Sequence, residues 1–475
     1  MSVVHSGAVL KSYAFAAALA AAAVTSAASS SLAADLPART STKAPPLVVQ
    51  AYNWTGLYVG VNAGVGFGRS KTDLNGGIVD PRSRIGGLGG VGGGQIGYNW
   101  QYGNLFGLGL GNVVLGLEAD IQGAGLNDNR TCTLLCAAGF GVNVNQKLDW
   151  FGTARGRVGI ATGPVLSYFT GGFAYGNVKS RVSDFTGVIN DSFSSTRTGW
   201  TIGSGVEAAL AGNWTGKIEY LYVDLGTQRG LSSLGTFTFN SQVREHIFRA
   251  GLNYRIGGAS YAPAPVANWS GWYVGGNGGS GTALNKSSIR SANLGERFNL
   301  SPDGYFGGVQ AGYNWQAGAI VYGLEADIQG GLLKDNYACG MTCSANAFVS
   351  YNQKMQWFGT VRGRVGYSVG STLFYATGGF AYGGVKTDLN FANVAVASVS
   401  RTRTGYAVGG GIESPFDLFG LFGKNWTSKT EYLFIDLGKS TDTVAVGTTF
   451  TTRAQEHTLR TGLNYHFNTP VVAKY

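Results

Sequence analysis

The chain has 475 residues, of which 13% are charged and 12% are aromatic, and it contains 77 glycines. A soluble globular chain usually carries about twice that fraction of charge. The chain beyond residue 34 has no apolar run of roughly 18 or more residues, which excludes a helical membrane protein. The formal charge of +10 could suit nucleic acid. An N-terminal export signal argues against nucleic acid as a partner. The anions that the basic loop tips of an exported chain would meet are lipid head groups and surface saccharides.

The first element is an N-terminal export signal. Lys11 precedes an apolar, alanine-rich run from about Tyr13 to Ala28, and small residues follow up to Ala34. This pattern predicts a secretory signal peptide over residues 1–34, and a retained membrane anchor is the alternative. Residues 35–51 are then expected to form an N-terminal periplasmic segment.

The rest of the chain contains one long unit twice. The segment at 116–123 is repeated letter for letter at 323–330, and the segment at 249–256 returns with small changes at 460–467. Repeats this long indicate two large structural units, not a solenoid of short ones. We therefore divide the chain into a first unit at 52–256, a linker at 257–267, a second unit at 268–467 and a C-terminal tail at 468–475.

Each unit is predicted to contain eight β-strands. In the first unit they run roughly over 57–68, 89–101, 113–125, 146–162, 165–179, 196–210, 213–226 and 245–256. Segments of about ten residues with alternating polarity are typical of a transmembrane β-barrel. Short connections near 163 and 211 alternate with long polar ones at 127–145 and 226–244, as expected for periplasmic turns and external loops.

The sorting of side chains on these strands favours a membrane barrel over a soluble one. In the fourth predicted strand one face carries Lys147, Asp149, Thr153, Arg155 and Arg157, and the other carries Leu148, Trp150, Ala154, Val158 and Ile160. A soluble barrel of the lipocalin type would be apolar inside and charged outside. Charges on one face with Trp and Tyr on the other predict a polar lumen and a lipid-facing aromatic girdle. The tryptophans of the Asn-Trp-Thr motifs at Asn53, Asn213 and Asn425 are expected in an interfacial belt.

The charged face predicts a plug of ion pairs. An eight-stranded barrel encloses an interior only just wide enough for side chains. Charges of both signs in that space must pair and form hydrogen bonds to offset their desolvation. The residues expected in this network are Glu118, Arg155, Arg157, Glu207, Lys217, Glu219 and Arg249 in the first unit and Glu325, Arg362, Arg364, Glu413, Lys429, Glu431 and Arg460 in the second.

The same pairing argues against an enzyme. Each acid has a basic partner on its own face, so paired carboxylates are expected to be structural. The region after the export signal has three histidines, of which His246 and His457 fall on the lipid-facing parity, while His466 has Arg255 as its counterpart. We therefore expect no catalytic residue, no cofactor and no metal.

The four cysteines form two close pairs, one in each unit. Cys132 and Cys136 in the first unit correspond to Cys339 and Cys343 in the second. Exported thiols meet an oxidising compartment, which favours a local disulfide in each unit. A metal site would need two further ligands, and neither loop contains a histidine.

Several motifs together resemble the small outer-membrane β-barrel proteins of alphaproteobacteria known as outer-membrane immunogenic or porin-family proteins. They are Asn-Trp-Thr-Gly-Leu-Tyr-Val-Gly at 53–60, Gly-Tyr-Asn-Trp at 97–100, Trp-Phe-Gly-Thr-Ala-Arg-Gly-Arg at 150–157, Thr-Gly-Gly-Phe-Ala-Tyr-Gly at 170–176 and Gly-Leu-Asn-Tyr-Arg at 251–255. The resemblance covers nearly all of both units. It implies an all-β, antiparallel up-and-down barrel of eight strands, located in the outer membrane and exposed as a surface antigen. Gly462, Tyr465 and Phe467 also resemble the terminal signal read by the β-barrel assembly machinery, although a tail of eight residues follows them.

The sixteen predicted strands could close as two tandem barrels or as one wide pore. The proline-containing linker could reach roughly 30 Å, and each unit holds its own charge set, so we favour two barrels. The expected function is a structural and surface-antigen protein of the cell outer membrane with little or no conductance. A sixteen-stranded porin for small hydrophilic solutes is the alternative. The expected partners are outer-membrane lipid, lipopolysaccharide and the assembly machinery, without nucleic acid.

Overall fold

The described part of the chain is built from antiparallel strands. The computed structural model describes residues 52–75, 83–85, 87–103, 112–132, 142–184, 186–235, 238–258, 260–263, 265–291, 294–338, 349–391, 394–416, 423–445 and 447–467. The predicted signal peptide at 1–34, the periplasmic segment at 35–51 and the tail at 468–475 lie outside these residues. No helix within the described ranges is long and apolar enough to span a membrane.

Twenty strands are present in the described residues, ten in each unit. In the first unit they are β1 (Gly56–Gly68), β2 (Ser70–Asn75), β3 (Ser83–Ile85), β4 (Leu88–Gly103), β5 (Asn112–Cys132), β6 (Val142–Thr162), β7 (Val165–Asp184), β8 (Asn190–Ala209), β9 (Trp214–Leu231) and β10 (Thr238–Ile256). In the second they are β11 (Gly271–Thr282), β12 (Asn285–Ser291), β13 (Leu294–Leu300), β14 (Asp303–Ala317), β15 (Ile320–Ala338), β16 (Val349–Val369), β17 (Thr372–Phe391), β18 (Val394–Pro415), β19 (Trp426–Ala445) and β20 (Thr448–His466).

Each unit closes into its own ring of eight strands. In the first, the chain of pairings runs β1–β4–β5–β6–β7–β8–β9–β10 and returns from β10 to β1. In the second, β11 pairs with both β14 and β20, and the ring is completed through β15 to β19. The prediction of two eight-stranded barrels is therefore confirmed, and the alternative of one sixteen-stranded pore is wrong.

The strands extend further toward the long connections than the sequence predicts. β9 continues to Leu231 and β10 begins at Thr238, inside a region that was predicted to be a loop at 226–244. The short strands β2 and β3 add a hairpin at the same end of the barrel. The alternation of polarity fades there because both faces are polar, while the backbone ladder needs no apolar side chains to continue.

A β-bulge in β6 reverses the predicted faces of its first residues. The register against β7 shifts between Leu148 and Trp150. The extra residue at such a bulge puts the alternation of faces before it out of step with the alternation after it. Leu148 is consequently buried in the lumen, whereas Lys147 is exposed on the outer wall and Asp149 joins it there. The prediction that Lys147 and Asp149 share the lumen face with Arg155 is wrong for this reason.

The two barrels contact each other through aromatic side chains on their outer walls. The Phe67 ring lies 4.5 Å from the ring of His457, and the Phe248 ring lies 4.9 Å from that of Tyr432, measured between centroids. His246 and His457 face outward, as their parity predicts, but they are only 9% and 3% exposed. They are therefore covered by protein where lipid contact was expected.

The linker at 257–267 is attached to the barrels at both ends. The backbone of Tyr261 forms a two-way bridge with that of Gly212, with N···O distances of 2.8 and 2.9 Å. The Tyr261 ring packs against Tyr52 at a centroid distance of 5.2 Å, and the amide of Ala267 donates to the carbonyl of Gly370. The linker thus runs along the end of the barrels that carries the short turns.

Candidate functional site

The lumen of the first barrel contains a compact network of buried charges around Arg155. Its guanidinium donates to Glu118, to Asp120 Oδ2 at 2.9 Å and to Glu219 Oε1 at 3.1 Å. Arg249 donates to the same Asp120 at 2.8 Å and to Glu219 Oε2 at 2.7 Å. These side chains are no more than 2% exposed. One guanidinium on β6 therefore joins three carboxylates from two other strands, β5 and β9.

The other predicted residues of the first network join it directly. Lys217 Nζ lies 2.9 Å from both oxygens of Glu118, and Arg157 Nη1 lies 3.0 Å from Glu207 Oε2. Asn253 and Thr215 also donate to Glu207 Oε1. All seven residues that the sequence analysis placed in this lumen are brought together, and Asp120 is added to them.

The second lumen repeats the arrangement almost atom for atom. Arg362 lies 2.6 Å from Glu325, 3.0 Å from Asp327 and 3.1 Å from Glu431. Arg460 Nε donates to Glu431 at 2.8 Å. The remaining predicted contacts, Lys429 with Glu325 at 2.8 Å and Arg364 with Glu413 at 3.0 Å, have the same geometry as their counterparts.

Each network contains equal numbers of acids and bases. The first holds four carboxylates and four cations, Glu118, Asp120, Glu207 and Glu219 against Arg155, Arg157, Lys217 and Arg249. The second holds Glu325, Asp327, Glu413 and Glu431 against Arg362, Arg364, Lys429 and Arg460. His466 Nε2 adds a contact of 3.2 Å to Glu413. Charge balance makes each network a poor attractor for a single sign of ion.

Tyrosines inside the lumen, which are absent from the predicted network, complete it. The hydroxyls of Tyr58 and Tyr168 donate to Glu118 and Glu219 at 2.8 and 2.9 Å. The Arg157 guanidinium lies between the two rings, 5.0 Å from each centroid. Tyr58 alternates along β1 with the exposed Leu57 and Val59, which is the signal that could have placed it on the lumen face.

An aromatic cap closes the end of each lumen that carries the short turns. Trp54 is only 1% exposed, its indole Nε1 donates to the Gly163 carbonyl in the turn between β6 and β7, and its backbone amide donates to Gln101. Trp269 occupies the same place in the second unit and donates to Ser368. The expectation of an interfacial position is wrong for Trp54, because this residue precedes its strand and folds under the barrel. Trp214 is 48% exposed and agrees with it.

An apolar layer lies on the other side of each charge network. In the first lumen it consists of Val91, Leu126, Leu148, Phe151, Ala174, Val178, Leu221, Val223, Leu225, Val243 and Ile247. A corresponding cluster around Phe358 fills the second lumen. Beyond this layer, toward the long connections of the first barrel, Gln146 Nε2 donates to Ser241 Oγ at 2.9 Å. The lumen is thus layered, with apolar residues where a wholly polar interior was predicted.

The two outward-facing histidines of the described residues, His246 and His457, are each engaged by a tyrosine hydroxyl. Glu245 and His246 are adjacent in sequence, but Glu245 lies on the lumen face and His246 on the outer wall of β10. The His246 ring Nδ1 is engaged by the hydroxyl of Tyr220 at 2.8 Å. Among the described residues, no group of three or more His, Cys, Asp or Glu side chains is placed to hold a metal ion.

The remaining predicted site residues lie at the edges of the described structure. Cys132 ends β5, but its side chain and the residues Cys136, Cys339 and Cys343 lie outside the described residues, as does the predicted disulfide pairing. On β20, Gly462 packs against the backbone of β11. Tyr465 and Phe467 follow on the outer wall with ring centroids 5.4 Å apart.

The comparisons with known proteins agree with this architecture. The family described as "Outer membrane protein beta-barrel domain" matches the chain twice, over residues 14–255 and 256–467. The 31 kDa outer-membrane immunogenic protein of Brucella melitensis biotype 1 is 38% identical over 235 residues, which are 48% of this chain and 93% of that protein. The 22 kDa outer membrane protein of Rhizobium leguminosarum bv. viciae is 33% identical over 44% of this chain and 83% of its own length. Among solved structures, Neisserial surface protein A matches 42% of this chain and 98% of its own, at 11% identity and a TM-score of 0.22, which is too low to bear on function.

Proposed function

This chain belongs to the outer membrane β-barrel family and resides in the outer membrane, and from that premise we propose that it is a structural and surface-exposed protein whose two lumens are closed by their own side chains. Its relatives are outer-membrane immunogenic proteins and not members of enzyme families. The proposed role therefore involves no catalysis. Passive diffusion through the lumens would be negligible.

The observation that carries the proposal is the stack of layers in each lumen. In the first barrel a solute entering from the short-turn end would meet Trp54, then the Arg155 network, then the apolar layer around Phe151. The charged groups are held by contacts of 2.7 to 3.1 Å, so displacing them would leave buried charges unpaired at a cost of several kcal/mol. A hydrated solute could not replace those contacts within so narrow an interior.

The exposed surface supports a structural role in the membrane. The outer wall of the first barrel is formed by side chains such as Leu117, Ile121, Val158 and Phe169, which are 58%, 57%, 51% and 71% exposed. A band of this kind suits the hydrocarbon region. The outward positions of Tyr465 and Phe467 at the end of the last strand also support recognition by the assembly machinery during insertion.

Liposome swelling tests the proposal. Full-length mature protein, refolded into liposomes, should admit a small neutral sugar at a rate within about twofold of protein-free liposomes, because a filled eight-stranded interior has no water channel. An unrelated open porin at equal protein content serves as the positive control. Rapid swelling with this chain, comparable to the open porin, would overturn the proposal and restore the porin alternative.

A further inference from the structure

Three lysines form a row across adjacent strands on the outer wall of the second barrel. Lys334 on β15 is directly opposite Lys354 on β16, and Lys354 is directly opposite Lys386 on β17. Their neighbours Leu333 and Met355 are buried in the lumen, so the lysines point away from it. Directly opposed residues in a sheet have Cβ atoms about 4.5–5.5 Å apart, and like charges at that spacing are destabilising.

The row lies at the level where the membrane surface begins. Trp357 and Tyr382, with ring centroids 6.0 Å apart, follow it on the same wall. Further from the long connections come Val361 and Phe380, which are 50% and 51% exposed. Aromatic residues mark the boundary between hydrocarbon and head groups. The lysine amines therefore stand among lipid head groups, on the side of the long external connections.

The nearby carboxylates do not neutralise the whole row. Asp388 lies 3.5 Å from Lys386 and also accepts the hydroxyl of Ser398. Asp303 is opposite Lys334 in the strand register. Its carboxylate Oδ2, however, forms an ion pair with Nη1 of Arg69 in the first barrel, at 2.5 Å. Within the part of the chain that the structure describes, neither Lys334 nor Lys354 forms an ion pair.

The first barrel supplies an internal comparison at the same place. Lys147 and Lys179 are directly opposed on β6 and β7, but Asp149 lies between them, 2.6 Å from each amine. In the second barrel the residue before the tryptophan, at the position of Asp149, is Gln356, and Lys334 stands where the first barrel has Asn127. Thus the first site contains its own anion, whereas the second has an uncharged residue at that position and one more cation.

We propose that Lys334, Lys354 and Lys386 bind a phosphate group of an outer-leaflet glycolipid of the lipid A type. A phosphate can accept hydrogen bonds from several ammonium groups at once and removes their mutual repulsion. The first barrel does not bind in this way, because Asp149 already pairs both of its lysines. The site lies on the outer wall and is independent of whether the lumens conduct.

Native mass spectrometry of the refolded full-length protein in detergent tests the site, with diphosphorylated lipid A as the probe. Lys354→Gln should weaken binding about fivefold, the usual effect of one lysine at an anionic lipid surface. Gln356→Asp, which copies the first barrel, should weaken it by roughly tenfold because its carboxylate would pair two of the three lysines. Lys147→Gln in the first barrel is the matched control and should change binding by less than about twofold.

The lipid series identifies the chemistry. Dephosphorylated lipid A should bind the wild type no better than it binds Gln356→Asp. Equal losses from Lys147→Gln and Lys354→Gln, or unchanged binding by Gln356→Asp, would overturn the site. Phosphatidylglycerol that binds as tightly as lipid A would overturn the assignment to a glycolipid. Gln356 is exposed, and heat-modifiable migration of each variant on gels verifies that the barrels have folded.

Discussion

Replacing Arg155 by methionine should lower the free energy of unfolding by about 3–5 kcal/mol, the usual cost of removing one partner from a buried ion pair. Arg155 contacts Glu118, Asp120 and Glu219, all within the buried lumen. Methionine preserves much of the side-chain volume, so the loss reports the unpaired carboxylates and not a cavity. Urea unfolding of the full-length protein in lipid vesicles, followed by tryptophan fluorescence, measures it.

Two further variants make this result specific. Arg362→Met should have an effect of the same size, because Arg362 makes the same three contacts in the second lumen. Arg181→Met is the control, since Arg181 is exposed on β7 and donates to Asn190. Its effect should stay within about 0.5 kcal/mol, as for most surface substitutions. If Arg155→Met and Arg181→Met lower the free energy of unfolding by the same amount, the network does not stabilise the barrel.

Gly93→Ala should destabilise the first barrel by about 1–3 kcal/mol, as expected for overpacking. A Cβ atom at Gly93 would lie 1.9 Å from the carbonyl oxygen of Ile121 on the next strand. The Ile121 oxygen belongs to the backbone, so it cannot be moved by a change of side-chain rotamer. The same urea titration measures the effect.

Gly92→Ala is the matched control for Gly93→Ala. A Cβ atom at Gly92 would meet only the Asn62 carbonyl oxygen, at 3.6 Å. Since glycine in a strand interior is unfavourable in itself, this variant should be neutral or slightly more stable. Gly308 and Gly307 repeat the contrast in the second barrel, at 2.0 and 3.5 Å. Equal destabilisation by Gly92→Ala and Gly93→Ala would contradict the claim that close packing in a narrow barrel requires these glycines.

The sequence predicted most of the fold because the repeat and the alternation of polarity are both strong. Alternation within the membrane depends on two different media and therefore survives in residues such as Leu117 and Glu118. The alternation of polarity could not predict the bulge at Leu148. A bulge is a local change of register, and counting every second residue assumes that the register does not change. That single shift misplaced Lys147, and with it the lysine pair that the first barrel neutralises through Asp149.

Side chains outside regular strands were the other source of error. Tryptophan favours an interfacial belt, and its residue type alone predicts that position for Trp54. The chain before β1 instead folds under the barrel and buries the indole. The contact between the barrels was also beyond the sequence. The parity of His457 predicts an outward direction, but nothing in that parity distinguishes lipid from the neighbouring barrel, where Phe67 lies.

Conductance of the protein without its predicted export signal, residues 35–475, in a planar lipid bilayer tests the central claim most directly. If each barrel is filled by its cap, charge network and apolar layer, insertion should produce no steady channel, and only small flickers should appear at high voltage. Large, steady openings that persist in every insertion would contradict the account. They would require a continuous water path past Trp54, Arg155 and Phe151, whose side chains are at most 3% exposed.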